Sequence, residues 1–105
     1  MTDLRCVKEI MNLGRGLELL HRAIIEWAQD PDRNKIVAES AAAQMLDWIR
    51  DMERCGGVEM PITKSLCREV REYARTSSRA ENVGVSLEVF GKLKSALYEE
   101  LKGIP

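Results

Sequence analysis

The chain has 105 residues, of which 45% are apolar and 31% charged, and its formal net charge is −1. This length predicts one folded domain over residues 1–105, and the apolar content excludes an intrinsically disordered chain. Because the 16 Lys and Arg residues are nearly balanced by 17 Asp and Glu residues, the composition excludes a polycationic nucleic-acid binder. No apolar run approaches the roughly 20 residues that a membrane-spanning helix needs.

The first half of the chain predicts two long amphipathic helices. Apolar side chains recur every three or four residues, which predicts a helix over about residues 3–29. Asp30 and Pro31 have the residue types of an N-cap and of a first helical position. They predict a second helix over about residues 31–54, which the glycines of Cys55-Gly56-Gly57 end. The short connection makes the two helices antiparallel.

The second half of the chain predicts two shorter helices separated by a polar loop. Pro61 is suited to the first position of a helix over about residues 61–77. Ser86 is a good N-cap for a helix over about residues 86–102. No segment has the alternating pattern of a strand. The sequence therefore predicts an all-α fold, a single-domain antiparallel four-helix bundle.

The chain contains three cysteines, Cys6, Cys55 and Cys67, and no CxxC pair. An odd number of cysteines, together with an N-terminus that lacks a signal-peptide pattern, is typical of a reducing cytosol. We therefore expect three structural thiols without disulfides in a cytoplasmic protein. The gaps between these cysteines and His21 are too long for a usual zinc site, so we predict no metal site and no cofactor.

The most organised polar feature is a row of cations on the third predicted helix. These residues, which we call the basic stripe, are Lys64, Arg68, Arg71, Arg75 and, if the helix continues far enough, Arg79. The first four fall within about 60° of one helix face. Arginine offers paired donors to carboxylates and phosphates, so the stripe predicts a binding surface for an acidic protein or for nucleic acid. The alternative is a solvated helix face.

The first predicted helix has more apolar residues than one buried face needs. The surplus residues Ile10, Leu19 and Ile25 predict a second contact, because large exposed apolar patches commonly mark interfaces. That contact is either a homodimer interface or a surface for a partner protein. The alternative is a helix that is buried on two sides within its own bundle.

Arg15 and His21 have the Arg-x5-His spacing found in the active-site motif of HEPN ribonucleases. This resemblance implies a helical domain in which both side chains act at an RNA phosphate. On a regular helix, however, a separation of six residues places two side chains about 120° apart. A site built from this pair therefore needs a bend at Gly16 or a contribution from a second chain.

From these patterns we predict a small non-enzymatic cytoplasmic protein that binds a macromolecular partner by steric occupation. An adaptor, an immunity-type protein or a phage-type inhibitor would act in this way. The expected partner is a protein, acidic where it meets the basic stripe, and no membrane is involved. The two alternatives are binding of nucleic acid or nucleotide phosphate through the basic stripe, and a HEPN-like ribonuclease.

Overall fold

The structure, a computed structural model, describes residues 6–30, 32–57 and 59–76, and, within the C-terminal part, residues 88, 90–92, 94, 95, 98, 99 and 102. Three long helices follow one another: α1 (Val7–Gln29), α2 (Lys35–Gly56) and α3 (Pro61–Thr76). The described residues between 88 and 102 are helical as well, and no strand occurs in the described part of the chain. The all-α prediction is therefore confirmed.

Helix α2 lies between α1 and α3 and packs against both of them. Helices α1 and α2 are antiparallel, because Cys6 at the start of α1 lies beside Cys55 at the end of α2, with 5.8 Å between the Cα atoms. C-terminal residues lie along α1, where Phe90 stacks on His21 and Lys94 pairs with Glu18.

The helices enclose one hydrophobic core. Its largest buried side chains are Leu13, Leu17, Leu20, Ile24, Trp27, Met45, Ile49, Met52, Met60, Leu66 and Phe90.

The start of α2 differs from the prediction. Asp30 is the C-cap of α1, and its backbone N–H donates to the Glu26 carbonyl at 3.0 Å. The N-cap position of α2 belongs to Asn34, whose side-chain Nδ2 donates to the same carbonyl at 2.8 Å. Helix α2 therefore begins at Lys35, later than predicted, and Asp30 is not its N-cap. Asp30 Oδ1 instead accepts the Arg33 N–H at 3.2 Å and so caps the turn that precedes the helix. Pro31 lies outside the described residues.

The end of α2 matches the expectation from its glycines. Gly57 follows the helix with φ 67°. Glycine adopts this left-handed conformation without strain because it has no Cβ. Its N–H donates to the Glu53 carbonyl at 2.8 Å and so satisfies one of the last carbonyls of the helix. Helix α2 therefore ends at Gly56, two residues later than predicted.

Cys6 and Cys55 form a disulfide, whereas Cys67 is a free, buried thiol. The prediction of three free thiols is therefore wrong for two of the cysteines. The physical reason is the antiparallel packing of α1 and α2, which places two residues next to each other that are 49 positions apart in sequence. The cytoplasmic location stays a prediction. The cysteines no longer support it, because disulfides persist mainly in oxidising compartments.

Candidate functional site

The clearest candidate site is an apolar groove between α1 and α2, which we call the α1–α2 groove. It has a volume of about 180 Å³. Leu19 on α1 and Val37 on α2 line it with 51% and 47% of their surfaces exposed, and the half-buried ring of Trp48 forms a further wall. Charged and polar residues also line this groove, namely Arg22, Glu26 and Gln44. The groove thus combines apolar walls with charges of both signs.

Small residues on both helices create this groove. Gly16, Ala23 and Ala41 line it, so little side-chain volume stands between the larger walls. A Cβ on Gly16 would lie 2.6 Å from Trp48 Cε3 and 2.7 Å from Met45 Sδ. Both distances are far below an ordinary van der Waals contact. The missing side chain of Gly16 therefore allows the Trp48 ring to lie close against α1.

The three apolar residues predicted as an interface on the first helix do not form one surface. Leu19 lines the α1–α2 groove, whereas Ile10 is half-buried against the hydrophobic core. Ile25 is exposed, and its separation of six residues from Leu19 places it about 120° away around the helix. Of the three, the structure assigns only Leu19 to the groove.

The groove also contains residues of α2 that the sequence did not indicate. Ala41 and Trp48 lie at helical spacing from the buried residues Ala38, Met45 and Met52, and this spacing alone favours a core position for both. In the structure the buried side of α2 consists of Ala38, Ala42, Met45, Ile49 and Met52. Ala41 and Trp48 are only partly buried and lie on the flank next to α1. A pattern read for one helix cannot show which flank a neighbouring helix leaves open.

The basic stripe lies along the edge of α3 that faces α2. Lys64 Nζ is 2.7 Å from Glu53 Oε2, and Arg75 Nε is 3.6 Å from Glu39 Oε1, with both carboxylates on α2. Arg71 is half-buried and Arg68 is exposed, while Arg79 lies outside the described residues. Two of the predicted cations are therefore paired within the fold. They do not form a uniform charged face.

Arg15 and His21 are not brought together within the chain. Helix α1 is continuous from Val7 to Gln29, so the pair keeps its separation of about 120°. The half-buried His21 ring stacks on Phe90 with 5.0 Å between the ring centroids and 25° between the planes. Arg15 is exposed and lines a separate shallow depression near the start of α1. The ring contact gives His21 a packing role.

Neither a metal site nor a membrane-spanning helix occurs in the described part of the chain. There, no group of three or more His, Cys, Asp or Glu side chains could hold a metal ion. Among the same residues, no helix combines the length and apolar character needed to cross a bilayer.

The chain matches no protein-family model, no curated protein and no solved structure. Its function therefore has to be inferred from the geometry of its own residues.

Proposed function

We propose that the protein is a non-catalytic binding protein that receives apolar side chains of a partner protein in the α1–α2 groove. The observation that carries this proposal is the half-exposure of Leu19 and Val37 beside the Trp48 ring. Covering such residues removes apolar surface from water, which is favourable by roughly 25 cal/mol per Å². The protein would then act by occupying the partner surface that enters the groove.

The lining of the groove favours a protein partner. Its apolar walls come from half-exposed side chains of two helices, Leu19 on α1 and Val37 on α2. Arg22, Glu26 and Gln44 add polar contacts beside the apolar walls, as in protein interfaces with an apolar centre and a polar rim. An amphipathic helix, which presents apolar side chains in a row, fits a groove between two helices.

Capture experiments with matched variants test this proposal. Leu19→Lys places a charge in the groove, whereas Ile62→Lys places the same charge on α3, at a residue that is 56% exposed and does not line the groove. Both variants and the native protein are used as bait in extracts of the source cell, and the retained proteins are identified by mass spectrometry. We expect one partner to be retained by the native protein and by Ile62→Lys and lost with Leu19→Lys.

The captured partner is then purified and titrated against the same three proteins. We expect Leu19→Lys to weaken binding by at least about tenfold, because a lysine charge cannot be buried in an apolar groove without a partner. We expect Ile62→Lys to change the affinity by less than about twofold, as for a residue outside the interface. Retention of the same partner by both variants, or of no partner by the native protein, would refute the proposal.

Sedimentation equilibrium distinguishes a second copy of the chain from a different protein as the occupant. A homodimer formed through the groove has twice the mass of one chain and dissociates with Leu19→Lys. Ile25→Glu tests the other exposed side of α1, since Ile25 does not line the groove. A monomeric native protein excludes a second copy of the chain as the occupant of the groove.

A further inference from the structure

A second groove lies between α2 and α3 and is lined by cations from both helices. Arg50 of α2 meets Lys64 and Arg68 of the basic stripe there, beside the apolar side chain of Leu46. The groove has a volume of about 200 Å³, and we call it the α2–α3 groove. Arg50 is absent from the basic stripe because it belongs to a different helix. Only the packing of α2 against α3 brings the three cations together.

The existing ion pairs leave two guanidinium groups available in this groove. Lys64 is held by Glu53, which also accepts the Met60 backbone N–H at 3.3 Å. Arg50 pairs with Asp47 at 3.0 Å, but the two side chains are 59% and 63% exposed. An ion pair this exposed contributes little to stability, so Arg50 can exchange this partner for a ligand. Arg68 forms no ion pair with the residues that the structure describes.

We propose that the α2–α3 groove binds the phosphate group of a small phosphorylated molecule. A phosphate group carries up to about two negative charges and has three strong acceptor oxygens. Two guanidinium forks can donate to these oxygens in pairs, and the ammonium group of Lys64 adds a third cation. A carboxylate ligand would gain less, because it carries a single charge and has two acceptor oxygens where a phosphate group has three.

The other end of the basic stripe favours a compact ligand over a nucleic-acid strand. A strand would need successive cations along α3 to contact successive phosphates. Arg75, however, lies about 10 Å beyond Arg68 along α3 and pairs with the half-buried Glu39 on α2, with 3.6 Å between Nε and Oε1. The half-buried Arg71 does not line the α2–α3 groove, so Arg50, Lys64 and Arg68 are the cations that one compact ligand can contact together. This proposal is independent of partner binding in the α1–α2 groove, which lies on the opposite flank of α2.

Pyrophosphate is the probe for this site, and its binding is followed in ¹H–¹⁵N NMR spectra at low ionic strength. We expect saturable shifts of the backbone signals of Arg50, Lys64 and Arg68 and of the arginine Nε–H signals. Arg50→Gln and Arg68→Gln should each weaken binding by at least about tenfold, because each removes a charged donor. Arg75→Gln is the matched control, since it removes the same charge from the same stripe and should change affinity by less than about twofold.

Three results would overturn the proposal. The first is the absence of saturable shifts up to 10 mM pyrophosphate, on the order of the weakest binding that would be specific. The second is equal weakening by Arg68→Gln and Arg75→Gln, which would show a general response to charge. The third is tighter binding of an oligothymidylate with shifts that extend to Arg75, which would identify a nucleic-acid surface. Sulfate serves as the competing anion and should displace pyrophosphate only at higher concentration.

Discussion

At the scale of single residues, two glycines on α1 provide a direct test of helix packing. A Cβ on Gly16 would approach the Trp48 ring to 2.6 Å, whereas a Cβ on Gly14 would meet none of the described atoms within 4 Å. We expect Gly16→Ala to lower the free energy of unfolding by about 1–3 kcal/mol, since overpacking outweighs the gain in helix propensity. We expect Gly14→Ala to raise it by about 0.5–1 kcal/mol.

Urea denaturation of the two variants measures both effects. The paired design separates the contact with Trp48 from the conformational entropy of glycine, because the two positions lie in the same helix. Changes of the same sign for both variants would contradict the proposed role of Gly16. A loss with Gly16→Ala would also connect the α1–α2 groove to stability, since Gly16 and Trp48 both line it.

The free thiol of Cys67 predicts a dependence of stability on pH. Burial raises the pKa of Cys67 from 9.0 to about 12, because the apolar surroundings disfavour the thiolate. The contribution of Cys67 to the free energy of unfolding is therefore fully present below pH 9. It decreases as the pH rises from about 9 towards 12, because in this range the unfolded chain loses the thiol proton that the folded chain retains.

Unfolding of the native protein and of Cys67→Ala between pH 8 and 10.5 measures this contribution. We expect the free energy of unfolding to fall more steeply with pH for the native protein, by up to about 1.4 kcal/mol per pH unit. The substitution also leaves a small cavity, which lowers stability by a constant amount and does not change the slope. Identical slopes for the two proteins would exclude a raised pKa for Cys67.

At the scale of helices, the disulfide between Cys6 and Cys55 connects the start of α1 with the end of α2. Closing a loop with a sequence separation of 49 residues stabilises the folded chain by about 4 kcal/mol in the chain-entropy treatment. We therefore expect a reductant to lower the free energy of unfolding by up to about this amount. Thermal unfolding with and without the reductant TCEP measures the effect.

The double variant Cys6→Ser and Cys55→Ser is the control for this measurement. It should unfold at one temperature whether or not TCEP is present, and at a lower temperature than the oxidised native protein. A native protein whose unfolding temperature is unchanged by TCEP would contradict a stabilising cross-link. Cys67 does not complicate the comparison, because it is a free thiol in both proteins.

The two ends of α2 show how far local sequence signals predict the bounds of a helix. Gly57 marks the end reliably, because only a residue without a Cβ adopts its φ of 67° without strain. The start was misassigned, because Asp30 and Asn34 are both good capping residues. Asp30 caps a separate turn, in which its Oδ1 accepts the Arg33 N–H and its carbonyl accepts the Asn34 N–H, and α2 begins only after that turn.

At the scale of the whole molecule, the central position of α2 gives its two flanks different properties. On one flank, small residues of α1 and α2 leave an apolar groove beside Leu19 and Trp48. On the other flank, Arg50 joins Lys64 and Arg68 in a cationic groove. Both grooves combine residues from two helices. The two binding proposals can therefore be tested independently with variants on opposite sides of one helix.

The amino-acid sequence by itself determined the helices and most of the core. The apolar spacing within α1 and α3 coincides with their buried sides, including Leu17, Ile24 and Val70, because helical periodicity is a property of each segment alone. It also identified Leu19 as a surplus apolar residue and Lys64 and Arg68 as members of a cationic row.

The tertiary structure alone decided which residues from different helices meet. It paired Cys6 with Cys55, placed Trp48 beside Leu19, and brought Arg50 to Lys64. The physical reason is that periodicity defines directions around one helix axis, whereas a site between helices depends on how each helix is rotated and shifted against its neighbour. Close packing at Gly16 and the ion pair between Glu53 and Lys64 accompany that arrangement here.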